Sequence, residues 1–136
     1  MADLIQPGDV WTHPVRYAQA DVARFAEVTG DDNPLHLDAD YAADTPFKQP
    51  IIHGFLGASI FSKILGTLFP GSGTIYLEQT LAFKRPMYVD TDYTAHVEVV
   101  EVDRARHRAV VETWVVGERN KRVIEGRAVI QHAERL

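Results

Sequence analysis

The chain has 136 residues, a net charge of −5 and no cysteine. This length predicts a single domain over residues 1–136, and the lack of cysteine excludes disulfides and thiolate metal sites. No segment approaches the ~20 apolar residues of a membrane span, and residues 1–8 lack the basic start and apolar run of a signal peptide. An acidic chain is not expected to bind nucleic acid. We therefore expect a cytoplasmic protein with a small-molecule partner.

The first third of the chain predicts short elements around a polar loop. Residues 10–16 are typical of a strand, and residues 18–29 of an amphipathic helix that ends at Gly30. Residues 31–36 follow as a turned or extended loop, because Pro34 disfavours helical geometry at the residue before it. After the loop, Asp38 is expected to cap a short helix over residues 39–43. The apolar face of the first helix comprises Val22, Phe25, Ala26 and Thr29.

Residues 51–69 form a long apolar segment with a single charge, Lys63. A helix without a polar face is expected to be buried on all sides. Gly54 and Gly57 would allow close approach of neighbouring groups, and Pro70 marks the end of the helix.

The second half of the chain alternates between apolar and polar residues with period two, which is typical of antiparallel strands. The sequence therefore predicts an α+β fold, an antiparallel sheet wrapped around a long buried central helix. The apolar positions are Ile75, Leu77, Leu81 and Phe83, then Ala109, Val111, Thr113 and Val115, then Ile124, Ala128 and Ile130.

The loop after Gly30 places Asp31 and His36 five positions apart. A carboxylate near an imidazole supplies the base and the acid needed to add water to an activated alkene. The same residues are also ordinary turn formers, and His36 could serve only in packing. Both interpretations stay open from the residues alone.

Gly54 opens the predicted central helix, whose first N–H groups lack intrahelical acceptors. The Gly54 N–H is a candidate donor to a carbonyl oxygen that becomes enolate-like; alternatively, the glycine only fits a crowded helix crossing. Ser62 lies about two turns, or ~12 Å, further along the same stripe. It is a candidate to bond a catalytic side chain or to line a pocket, and the alternative is a bond to its own helix backbone.

Residues 25–36 read Phe-Ala-Glu-Val-Thr-Gly-Asp-Asp-Asn-Pro-Leu-His, with Ala42 six positions further on. This pattern resembles the hydratase-2 motif of MaoC-like dehydratases and (R)-specific enoyl-CoA hydratases. Residues 50–54, 61–62, and 73–77 leading to 83–86 are also similar to that family, and the resemblance runs from about Val10 to the C-terminus. The chain looks most like the short single-domain hydratases of polyhydroxyalkanoate biosynthesis.

The resemblance implies a hot-dog fold, a homodimer with joined sheets, and a lyase of fatty acid metabolism. The implied reaction is reversible syn addition of water to trans-2-enoyl-CoA, giving (R)-3-hydroxyacyl-CoA, with coenzyme A part of the substrate and no metal or redox cofactor. When the roles of the family's motif residues are carried over to this sequence, Asp31 and His36 hold and activate the water. Asp31 is then the principal base, and His36 is its partner in proton delivery. The Gly54 N–H polarises the thioester carbonyl, Ser62 supports the catalytic pair, and Asn33 shapes the loop.

Four further residues are candidates for binding the substrate. Lys84 and Arg85 are candidates for the phosphates of coenzyme A, and Leu65 and Val129 for the closed end of an acyl tunnel. The alternatives are solvated strand-end charges and plain core packing. The remaining histidines show no spacing typical of a metal site, namely His13, His96, His107 and His132.

Two other functions are compatible with the same resemblance. A hot-dog acyl-CoA thioesterase would release free coenzyme A from a saturated acyl-CoA. A non-catalytic acyl-CoA-binding module would be stabilised by ligand without turnover. The residues alone leave the carrier open between coenzyme A and acyl carrier protein, although the negative charge of the chain mildly disfavours an acidic carrier protein.

Overall fold

A computed structural model describes residues 3–136 and shows one antiparallel sheet packed against helices. Met1 and Ala2 lie outside the described residues. They belong to the predicted domain over residues 1–136 and to residues 1–8, which lack the features of a signal peptide. The strands run in the order β1-β4-β5-β6-β2, and β3 also pairs with β6. They are Val10–Val15 (β1), Ile75–Gln79 (β2), Ala82–Phe83 (β3), Tyr93–Asp103 (β4), Arg108–Val116 (β5) and Arg122–Gln131 (β6).

In the described part of the chain four helices accompany the sheet, and the fourth, α4, packs against it. Beyond its last residue α4 continues as a π-helical turn, Ile64–Leu68. A short 3₁₀ turn, Glu118–Asn120, connects β5 to β6. The helices are Gln19–Thr29 (α1), Pro34–Leu37 (α2), Ala39–Ala43 (α3) and Gly54–Lys63 (α4).

The inner face of the sheet is formed by the alternating positions of the long strands. Every second residue of β5 is buried, as the period-two pattern predicts. The buried residues of β6 follow the same rule, and both sets join Phe61 and Ile64 in one core. The buried positions are Ala109, Val111, Thr113 and Val115 on β5, with Ile124, Ala128 and Ile130 on β6.

The central helix is not buried on all sides within one chain, so that prediction was wrong for the single chain. The sheet covers only one flank of α4, where Phe61 is fully buried. On the opposite flank the Phe55 side chain is 68% exposed, and Ser59 and Ser62 also face solvent. The physical reason is geometric, since a single sheet can cover only one side of a helix.

The first helices place the polar loop where the sequence predicts it. Gly30 ends α1 with φ at 79°, in the left-handed region that glycine favours. The Asp38 side chain caps α3 by accepting bonds from the N–H groups of Asp40 and Tyr41. Within the loop, for which the sequence left a turned or an extended segment open, Pro34–Leu37 forms the single helical turn α2.

Pro34 favours this turn, because it occupies the first helical position, where its fixed φ suits a helix start. Asn33 before it keeps the non-helical geometry that the proline imposes. Within residues 3–136, no helix combines the length and hydropathy needed to cross a membrane.

Candidate active site

Asp31, His36 and His53 form a three-residue cluster where α1, α2 and α4 meet. One donor atom from each lies within 4.8 Å of the others. Asp31 is exposed just after α1, His36 is half-buried on α2, and His53 is buried directly before α4. The structure therefore brings the predicted pair together and adds a second imidazole.

Hydrogen bonds at the ring and at the backbone carbonyl hold His36 in place. Its Nδ1–H donates to the Ile51 carbonyl oxygen at 2.7 Å, and its own carbonyl accepts from Gln19 Nε2 at 2.9 Å. A ring nitrogen that donates to a carbonyl must carry the proton, so Nε2 of the neutral ring is left as the acceptor. That arrangement leaves Nε2 free to hold a water molecule.

His53 fixes the backbone of the loop. Its Nε2–H donates to the Asp31 carbonyl oxygen at 2.9 Å, and its ring stacks on His36 with centroids 3.9 Å apart. Its Nδ1 is buried and has no hydrogen-bond partner among the described residues. The sequence pattern indicates this position only as the start of the helix, and a role for the His53 side chain was not predicted. Its one signal was a histidine placed directly before the glycine that opens the central helix.

Local side-chain bonds complete the loop. Thr29 Oγ1 accepts from the Asp31 N–H at 3.2 Å, and Asn33 Oδ1 accepts from the Leu35 N–H at 3.1 Å. Asn33 is therefore the N-terminal cap of α2, which is a physical basis for its expected role in shaping the loop.

A cavity of about 430 Å³ opens beside His36 and the start of α4. This volume lies within the range of small-molecule sites. A Cβ on Gly54 would lie 2.7 Å from the Phe83 ring, so only glycine fits without displacing that ring. The lining residues are His36, Phe47, Ile51, Ile52, Gly54, Phe55, Phe83, Lys84, Arg85, Pro86, Met87 and Ile124.

The Gly54 N–H lies in the first turn of α4, where N–H groups have no acceptor four residues earlier. The first bond of the helix runs from the Gly57 N–H to the His53 carbonyl. The Gly54 N–H thus remains available on the wall of the cavity that His36 also lines. This is the geometry of a donor to a carbonyl oxygen.

The cluster also contains the residue types of a small metal site. Three donors within 4.8 Å are enough to hold a cation. One nitrogen of each histidine is already bonded to a backbone carbonyl, so each ring has one nitrogen left. The same two nitrogens and the Asp31 carboxylate are equally the groups that a proton-transfer reaction would use.

Lys84 and Arg85 lie at the rim of the cavity, at the end of β3. Lys84 Nζ is 3.5 Å from Glu125 Oε1, and Arg85 Nη1 donates to the Arg122 carbonyl at 2.7 Å. Both cations are exposed, and both line the same cavity as His36.

Three other predicted site residues lie elsewhere within the single chain. Ser62 lines a separate groove of about 330 Å³ with residues of β2, and it does not border the His36 cavity. Leu65 is fully buried in the core, so it acts there as packing. Val129 lies between Ala128 and Ile130, which face inward, and so occupies the outer face of the sheet. Leu65 and Val129 therefore do not close one tunnel inside one chain.

Comparison with known proteins decides the family. The model of the MaoC like domain matches residues 6–121. This chain belongs to the MaoC-like family. The MaoC-like chain is 43% identical over 116 residues to the (R)-specific enoyl-CoA hydratase of Aeromonas caviae, covering 85% of this chain and 87% of that one. It is 41% identical over 115 residues to the 3-hydroxybutyryl-CoA dehydratase of Methylorubrum extorquens, covering 84% and 72%.

A solved structure agrees with these relatives. The (R)-hydratase from A. caviae involved in PHA biosynthesis superposes on this MaoC-like chain with a TM-score of 0.91 and 40% identity, covering 94% of this chain and 97% of that one. This likeness confirms the hot-dog fold and the α+β class expected from the resemblance.

Proposed function

We propose that this MaoC-like protein is an (R)-specific enoyl-CoA hydratase, a hydro-lyase that reversibly adds water to trans-2-enoyl-CoA. The observation that carries the proposal is the position of His36. One ring nitrogen of His36 and one carboxylate oxygen of Asp31 lie within 4.8 Å of each other, and His36 lines the same cavity as Gly54. The names of the relatives support this reaction, because one is called a hydratase and the other a dehydratase, which are the forward and reverse directions of the same reaction.

The proposed chemistry places one water between Asp31 and His36. Asp31 takes a proton as the water oxygen bonds to C3 of the enoyl group, and the alkene electron pair moves toward the thioester oxygen. That proton then passes from Asp31 to the acceptor nitrogen Nε2 of His36 and from there to C2, where the enolate electron pair forms the C2–H bond. Asp31 ends as a carboxylate and His36 as a neutral ring, so the pair is reset.

The Gly54 N–H stabilises the negative charge that develops on the thioester oxygen. A preorganised donor at a helix start is already aligned when that charge appears, so little reorganisation is needed. No electrons pass to an acceptor in hydration, so the reaction requires no redox cofactor. Coenzyme A enters only as part of the substrate, and Lys84 and Arg85 at the cavity rim face its phosphates.

The functional unit in this proposal is a homodimer. The uncovered flank of α4 and the neighbouring edge strand β2 together expose large apolar side chains, which usually marks an interface. A second copy on this face would cover α4 and bring the Ser62 groove to the interface. The exposed side chains are Phe55 on α4 and Ile75, Tyr76 and Leu77 on β2, and Phe83 on β3 adjoins them.

The function is tested by incubating the purified protein with crotonyl-CoA. We expect loss of the enoyl absorbance and formation of (R)-3-hydroxybutyryl-CoA, resolved on a chiral column. Butyryl-CoA serves as the control, because a thioesterase would release free coenzyme A from it. An (S) product, or release of coenzyme A without hydration, would contradict the proposal.

A further inference from the structure

Phe25 opens the motif at residues 25–36, and the proposed chemistry gives it no role. It lies on α1, and its side chain is half-buried. Val22, one turn earlier on the same helix, belongs to the main apolar core, whereas Phe25 lies outside that core. The position of Phe25 is therefore explained by its local contacts and not by packing against the sheet.

Phe25 contacts the ring of His53. The two ring centroids lie 4.6 Å apart with 51° between the ring planes, a separation at which aromatic rings attract each other. The His53 ring is in turn stacked on His36, with centroids 3.9 Å apart and 27° between the planes. Phe25, His53 and His36 therefore form one aromatic stack, which joins α1, the start of α4 and α2.

His53, in the middle of the aromatic stack, has a fixed tautomer. Its Nε2–H donates to the Asp31 carbonyl oxygen at 2.9 Å, so its Nδ1 carries a lone pair. That Nδ1 is buried and has no hydrogen-bond partner within residues 3–136. Buried polar atoms without partners are rare, and an apolar side chain would fill the same space without one. An imidazole at this position is therefore explained by its bond to Asp31 and by its flat face against His36.

The aromatic stack restricts a motion of His36 that its ring hydrogen bond leaves open. The bond from Nδ1–H to the Ile51 carbonyl holds one atom of the ring, and the ring can still tilt about that bond. A flat contact on the ring face opposes the tilt, because it keeps the ring nearly parallel to His53. The direction of Nε2, which holds the water in the proposed reaction, depends on this tilt.

We propose that Phe25 is a positioning residue of the hydration reaction, which acts through His53 by holding the face of that ring against His36. The inference rests on the proposed function and adds an aromatic side chain of α1 to the groups that orient the catalytic imidazole. Neither Phe25 nor His53 lines the cavity beside His36, so both act on the reaction without touching the substrate.

The first test measures kcat and KM for crotonyl-CoA. Phe25→Leu should lower kcat about tenfold with unchanged KM, because the ring orients His36 and lies away from the cavity. Phe25→Tyr keeps the ring and should retain the wild-type kcat. The matched control, Val22→Ala, removes buried volume from the same helix, so it should lower stability in urea and leave kcat unchanged.

A double variant distinguishes a role through His53 from an independent one. If Phe25 acts only through His53, Phe25→Leu/His53→Leu should have the same kcat as His53→Leu alone. Multiplied losses in the double variant, an unchanged kcat in Phe25→Leu, or an equal loss in Val22→Ala would overturn the proposal.

The third test needs no catalysis and follows the ring protons of His36 by NMR, assigned by the loss of their signals in His36→Ala. In the wild type the ring current of His53 shifts these signals. They should move toward their unstacked positions in Phe25→Leu and stay in place in Phe25→Tyr and Val22→Ala. Identical His36 signals in Phe25→Leu and the wild type would overturn the proposal. An inactive wild type whose His36 signals respond as expected would refute the proposed function and leave the aromatic stack established.

Discussion

At the scale of single residues, His53 links the two halves of the catalytic pair. It bonds the backbone of Asp31 and stacks on the ring of His36, although 22 and 17 positions separate it from them in the chain. A side chain that contacts both groups fixes their distance from each other. Positioning of this kind accounts for a large part of a catalysed rate.

Replacing His53 by Leu should therefore lower kcat by roughly 10–100-fold with little change in KM. Leu removes the donor to the Asp31 backbone carbonyl, so the loop backbone that carries the carboxylate loses this anchor. His53→Gln is the matched variant, because its amide nitrogen can reach the same carbonyl, and it should recover part of kcat. Steady-state kinetics with crotonyl-CoA decides, and equal kcat in the wild type and His53→Leu would rule out a positioning role.

At the scale of elements, α4 and β2 together carry an apolar face that the single chain leaves open. The rings of Phe55 on α4 and Phe83 on β3 lie 5.9 Å apart, and Leu77 on β2 borders the same groove as Phe55. An edge strand with uncovered apolar side chains is suited to pair with a second copy.

The change Leu77→Lys should dissociate the proposed dimer and reduce hydratase activity, because it places a charge in the apolar interface. Val10→Lys on the opposite edge strand, β1, is the control and should leave both properties unchanged. Light scattering after size-exclusion chromatography gives the mass of each variant. A wild-type monomer, or a Leu77→Lys dimer of normal activity, would refute the β2-edge interface.

At the scale of the whole molecule, the outer face of the sheet predicts a pH dependence of stability. His96 on β4 is stacked on Trp114 of β5, with Thr12 opposite on β1, and Arg122 lies over the same indole at 4.5 Å. Burial, and then the charge of Arg122, lower the pKa of His96. The unfolded chain therefore binds this proton more readily than the folded chain.

Stability should consequently fall as the pH drops from about 6.5, the ordinary value for histidine, through the lowered folded pKa. His96→Gln cannot take up the proton, so it should lose less stability than the wild type between pH 8 and pH 5. Urea unfolding at both pH values measures the difference. Parallel losses in the two proteins would show that His96 does not contribute.

Local patterns predicted much of this architecture. The alternation at residues 109–115 predicted the inner face of β5, and Gly30 predicted the end of α1. The same alternation in β6 already implied that Val129 faces away from Ala128 and Ile130. Local patterns could not predict the features that depend on contacts between residues far apart in the sequence.

The His53 side chain and the open flank of α4 are examples. His53 acquires its role only when α4 packs beside the loop, so no pattern near it in the sequence indicates that role. The amphipathic pattern of a helix shows which faces are apolar, but which of them the sheet covers is decided by the fold. For that reason Ser62 lies in a groove away from His36 in the single chain.

The central claim is that the Asp31 carboxylate and the His36 imidazole activate one water for addition to the enoyl group. The most direct measurement is the kcat for crotonyl-CoA of Asp31→Asn and His36→Ala beside the wild type. The account predicts a fall of roughly 10²–10⁴-fold in each variant, the usual contribution of a general acid or base, with KM nearly unchanged. An Asp31→Asn protein that hydrates crotonyl-CoA at the wild-type rate would contradict it.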